Sequence, residues 1–150
     1  MKMHFMIRGV VVAAVGLAAA VRAETPPLRW PAPDLPKALA CPDSPNCVNS
    51  LGVGGQAPLV YAGSPEQGMA RLRATLATFT EARIESADAG SLTAIFTTRL
   101  GFRDEVVFVL DPVQAHIHFR SRSLLGYYDF GKNRSRMQAV GERFAATPQP

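Results

Sequence analysis

The sequence is poor in the residues that most often carry chemistry or cross-links. It holds two cysteines, three histidines and one tryptophan in 150 residues. Two cysteines exclude a disulfide-dense scaffold and any four-thiolate metal site. There is no G-x-S-x-G elbow and no H-E-x-x-H helix, so neither of those hydrolase patterns is present, and the serines lack a base partner. The glycine-rich run Gly52-Val53-Gly54-Gly55 lacks the strand-to-helix setting of a phosphate loop. No cofactor is expected. Long apolar runs are also missing. The longest, Gly9 to Val21, has 13 residues, below the roughly 20 that a helix needs to cross a bilayer.

Charge is scarcer than it first looks. The formal net charge is +4 and the pI near 9.5. Lys2, Arg8 and Arg22 lie in the N-terminal segment, and without them 13 basic residues face 12 acidic ones. Such a balance gives no broad attraction to nucleic acid.

What is present at the start is a secretory leader pattern. Lys2 and Arg8 precede the apolar run, and Val21-Arg22-Ala23 places small residues at the two positions a signal peptidase reads. Residues 1–23 are therefore expected to be a signal peptide. Residues 24–40 carry five prolines (26, 27, 31, 33 and 36) and read as an extended linker. A single domain follows over residues 41–146, with a tail at 147–150. The expected location is periplasmic or extracellular, with no stable membrane span after cleavage. Oxidising compartments favour pairing of Cys41 with Cys47 across Pro42 and Pro45. So short a loop contributes only about 2 kcal/mol on the chain-entropy argument, which makes the bridge a pin for an N-terminal strap. The C-x-x-C spacing of a redox-active pair is absent.

Within the domain, Ala57 to Ala62 suggests a short first strand. Ser64-Pro65-Glu66-Gln67 is a helix start with a capping box. Met69, Leu72, Leu76 and Phe79 continue it as one apolar stripe. Four strands follow: Arg83 to Ala87, Leu92 to Thr98, Glu105 to Leu110, and Ala115 to Ser121. Glu105 to Leu110 is apolar on both faces, as a central strand is. In the last strand Ala115, Ile117 and Phe119 share one face, which leaves His116, His118 and Arg120 together on a solvated one. A helix from Gly131 to Ala146 closes the chain. The predicted class is α+β: β-α-β-β-β-β-α, an antiparallel sheet of four to five strands with both helices on one face.

The densest polar stretch runs from His116 to Arg136. It holds Arg120, Arg122, Lys132, Arg134 and Arg136 against one acid, Asp129, with Ser121, Ser123, Tyr127, Tyr128 and Asn133 as hydrogen-bonding groups. At about 100° per residue, Asn133 falls on the side of Met137, Val140 and Phe144. Two readings use these residues. In one, Arg122, Ser123, Asp129, Asn133, Arg134 and Arg136 line a site for a small anionic ligand at the helix N-terminus. In the other, Asp129 caps the helix and Asn133 ties down the preceding loop. His116 and His118 with the two cysteines could form a zinc site only with reduced thiols, which export opposes.

Two motifs together resemble a known family. They are Cys41-Pro42-Asp43-Ser44-Pro45-Asn46-Cys47-Val48-Asn49-Ser50 and Ser123-Leu124-Leu125-Gly126-Tyr127-Tyr128-Asp129-Phe130-Gly131-Lys132-Asn133-Arg134-Ser135-Arg136. They are similar to the C-P-x-S-P-N-C-V-S-S and S-R-x-G-x-S-D-x-G-x-N-R-x-R signatures of the uncharacterised-domain family numbered 1499. Phe102-Arg103-Asp104-Glu105-Val106 resembles that family's acidic pair before a strand. The resemblance implies positions and no activity. Leu124 stands where the pattern has arginine and Tyr128 where it has serine, and Arg122 is the candidate replacement cation. Three functions are expected to compete: a non-enzymatic ligand-binding module, a small hydrolase or lyase using Asp129 with Arg134 and His118, and a structural subunit docking on an envelope protein.

Overall fold

The computed structural model describes residues 33–148. The leader, Trp30 and most of the linker lie outside the described residues. Asp34 caps a single helical turn, α1 (Leu35–Ala38). The last part of the stretch read as extended linker is thus helical, because Asp34 accepts the Lys37 N–H and Pro36 supplies a preset φ.

Six strands form one antiparallel sheet, one more than the upper expectation. They are β1 (Cys47–Asn49), β2 (Leu59–Val60), β3 (Ala82–Ala87), β4 (Ser91–Thr97), β5 (Arg103–Asp111) and β6 (His116–Ser123). The order is β1-β6-β5-β4-β3, with β2 also on the outer edge of β6. The strand that the sequence did not reveal is β1, because three residues beside a cysteine carry no periodicity. Ser50 joins the two pieces on that edge. Its N–H donates to Phe119 O, and its hydroxyl accepts the Phe119 N–H as a neighbouring carbonyl would. At the opposite edge β3 is exposed along most of its length and carries a register shift between Ile84 and Ser86.

Period-two alternation divides the faces. Val106, Phe108 and Leu110 of β5, Ile117 and Phe119 of β6, and Leu92, Ala94 and Phe96 of β4 form the main core. Two helices cover it, α2 (Pro65–Leu76) and α3 (Lys132–Ala146). The Ser64–Gln67 capping box forms at the start of α2 as the sequence implied. Met69, Leu72 and Leu76 pack inward, and Phe79, just past the helix end, meets Phe96 edge-on at 5.6 Å. Gly68 admits the ring of Tyr61; a Cβ there would stand 2.7 Å from Tyr61 Cγ. Arg71 and Arg143 lash the helices together. Arg71 donates to the carbonyls of Ala145 and Thr147 and lies over the Phe144 ring, and Arg143 donates to Thr78 O from above Phe79.

The N-terminal strap lies on the sheet face away from the helices. Leu39 is fully buried, Asn49 Nδ2 donates to its carbonyl, and Arg120 donates to the carbonyl of Ala40. Cys41 and Cys47 are joined, with Cα atoms 5.8 Å apart. Since the two helices and four long strands carry the core independently, Cys41→Ser should lower stability by about 2 kcal/mol and leave the fold intact. Denaturant unfolding measures this; a mutant with no cooperative transition would make the bridge the main support of the domain.

Candidate functional site

The polar cluster assembles around one side chain. Asn133, in the first turn of α3, is 0% exposed and faces the sheet as helical phase implied. Its Oδ1 accepts from Ser121 Oγ (2.6 Å) and from the Arg136 guanidinium (3.0 Å). Its Nδ2 donates to Asn46 O (3.0 Å), Ser123 Oγ (3.1 Å) and Asp129 Oδ2 (2.8 Å), two hydrogens shared among three acceptors. Arg136 continues the chain to Asp104 on β5, a buried ion pair that also lies 5.0 Å over the Phe96 ring. Asn46 Nδ2 donates to Gly126 O. The strap, β5, β6, the β6–α3 loop and α3 therefore meet at one amide.

Asp129 is a cap. Its Oδ1 accepts from Gly131 N (3.0 Å), and its Oδ2 accepts from both the backbone and the side chain of Asn133. Burial alone would raise its pKa, but the hydrogen bonds from Asn133 and Gly131 outweigh it and hold the carboxyl below its ordinary range. A carboxylate ionised and bonded at both oxygens is not placed for proton transfer with a substrate. It also occupies the helix N-terminus where the anion site was expected.

The predicted site residues divide into two groups. Ser123, Asp129, Asn133 and Arg136 come together. Arg122 does not. It projects from the opposite sheet face, where it and Arg120 share Glu105 Oε1 at 2.9 and 2.8 Å, so it does not replace the arginine absent at Leu124. Arg134 is exposed on the helix surface. The sequence reasoning missed Asn46 and Ser121 as members of the network. Asn46 was legible as the one amide between the two cysteines.

Above this network lies an open cleft of about 850 Å³. The turn 98–102 between β4 and β5 forms one wall, the loop 124–131 the other, and α3 the side. Apolar groups stand out at its rim: Phe130 is 90% exposed, Leu100 84% and Leu125 73%, with Phe102 and Tyr128 about half exposed. Phe130 also has a φ of 52° and is followed by Gly131 at 76°. With Lys132 N donating to Asp129 O, this is a left-handed turn of the type that favours asparagine and glycine. A phenylalanine there costs on the order of 1 kcal/mol. Arg99 and Lys132 add positive charge to the lining. The sequence signal was an apolar run, Leu124-Leu125-Gly126-Tyr127-Tyr128, with neither strand nor helix period behind it.

The histidines are not the solvated pair expected. His118 is buried, with Nδ1 3.1 Å from Ser50 Oγ and its ring edge-on to His116 at 5.7 Å. Ser50 Oγ is itself held by the Phe119 N–H, so the pair is a strut of the sheet edge. Both cysteines are spent in the disulfide.

A six-stranded antiparallel sheet with helices on one face, a strap pinned to the other and an amide hub below an apolar-rimmed cleft defines a small α+β domain. Both signature motifs meet at that hub. The chain belongs to a family of proteins of unknown function, DUF1499, which matches residues 38–144. No curated protein matches it.

Two predictions follow from the hub and the buried histidine. Asn133→Ala strands Ser121 Oγ, leaves the Arg136 guanidinium with Asp104 alone and removes one of the ties to the loop, and should cost about 2–3 kcal/mol in chemical denaturation; an unchanged midpoint would remove the hub from its role. Burial, with His116 beside it and against the pull of Asp111, holds His118 below its ordinary value of 6.5. The unfolded chain therefore takes up the proton first. Stability should be level above about pH 7 and fall as pH drops below 6.5, by up to ~1.4 kcal/mol per pH unit. His118→Gln should flatten that limb of the melting profile, and a limb that persists would assign it elsewhere.

Proposed function

We propose that the chain is an exported, non-enzymatic binding module whose cleft takes a small amphipathic anion, an apolar body carrying a carboxylate or phosphate. Its leader pattern and disulfide support export, and the disulfide is consistent with a periplasmic or extracellular location. Among the described residues no helix is long and apolar enough to cross a membrane. The observation that carries the binding reading is the division of labour at the cleft. Every charged group at its floor is satisfied within the protein, whereas among the described residues the apolar rim, Arg99 and Lys132 are not. A volume near 850 Å³ is of the size that encloses small ligands.

The hydrolase or lyase reading draws no support from Asp129, which is committed to the helix start. The test is calorimetric titration with decyl phosphate, decanoate and decanol. Both anions should bind saturably and decanol at least tenfold more weakly. Lys132→Glu should weaken the anions by about tenfold without altering the melting temperature. Absence of saturable binding by all three would overturn the reading.

A further inference from the structure

We infer that the rim of the cleft is a docking surface for an anionic lipid bilayer. It shares Leu100, Leu125 and Phe130 with the lining of the proposed binding cleft, but it rests on their exposure to solvent and does not require the cleft to be filled. The most exposed large apolar residues at this end of the sheet, Phe130, Leu100, Leu125 and Tyr127, all sit on the turn 98–102 and the loop 124–131. Soluble surfaces carry single apolar side chains routinely, but a cluster at one end, with Phe130 held in an unfavourable turn by the network beneath, requires a use.

Charge selects the surface. Residues 98–102 and 124–131 contain a single acid, Asp129, and its oxygens are turned into the helix start. Arg99 and Lys132 line the cleft beside the apolar tips and Arg134 is exposed in the first turn of α3, all without an acidic partner among the described residues. Leucine and aromatic tips backed by free cations match the interface of an anionic membrane, where rings settle at headgroup depth and basic side chains reach lipid phosphates. The tips stand on two loops separated by a cleft. A fluid surface admits them independently, whereas a folded protein partner would have to fill the gap between them.

The experiment is co-sedimentation of the protein, purified as its own cells process it, with vesicles of phosphatidylcholine alone and of phosphatidylcholine mixed with phosphatidylglycerol. The wild type should partition onto the mixed vesicles at least tenfold better, with the gain shrinking as salt is raised from 0.1 M to 1 M and the screening length falls from about 10 to 3 Å. Phe130→Asn combined with Leu125→Ser should cut partitioning at least tenfold; asparagine keeps the left-handed turn, and circular dichroism checks the fold. Leu100→Ser tests the second loop separately and should give a smaller loss. Val113→Ser is the control, since Val113 is also 84% exposed but caps the opposite end of the sheet, at the β5–β6 turn. No partitioning by the wild type would overturn the inference. So would equal losses in the Val113 and rim variants, or partitioning that survives the rim substitutions.

Discussion

The structure depends on one buried amide. Asn133 gathers five hydrogen bonds from the strap, two positions of β6, the β6–α3 loop and its own helix, and a sixth link through Arg136 reaches β5. An amide removed from water is costly unless each donor and acceptor is met. Here that requirement works as a specification, because only one arrangement of five chain segments satisfies it. Apolar packing by Met137, Val140 and Phe144 holds α3 against the sheet, but it does not fix how far the helix slides along it. The amide does. Because Asp129 is held by the same side chain, the position of the helix and the shape of the loop above it are set together.

The two sheet faces solve different problems. The helix side is an ordinary apolar core. The other side is semi-polar, and its charges are arranged to neutralise one another: Glu105 lies between Arg120 and Arg122, and the strap contributes carbonyls and Leu39. Arg122 belongs to this second face. Counting cations along the chain placed it with Arg134 and Arg136, whereas strand alternation sends it through the sheet.

Much of the fold was legible because it follows from periodicity and caps. The α2 capping box, the four long strands and the inward phase of Asn133 all came from local pattern. β1 did not, since its pairing with β6 is a long-range event with no local signature, and α1 is a single turn hidden by prolines. His118 was misread for a related reason. Alternation placed it correctly on the far face, but that face is covered by the segment at Ser50, which sequence does not position. At the site, the residue types were found, while their roles turned on geometry: Asp129 as a cap and Arg136 as one half of a buried pair become distinct from ligand-binding groups only when their partners are visible.

The edge strand β3 has a consequence for association. Among the described residues its backbone is the longest unpaired edge of the sheet, a place where another chain could add a strand. Arg83 and Glu85 alternate along it, most of its residues face water, and the register shift between Ile84 and Ser86 breaks the spacing that an incoming strand would need. At the far edge, β1 and β2 divide the β6 ladder between them and Ser50 bridges the break, so no matching template is offered there. Among the described residues, growth of the sheet is thereby discouraged at β3, and at the far edge it meets only two short strands in place of one continuous one.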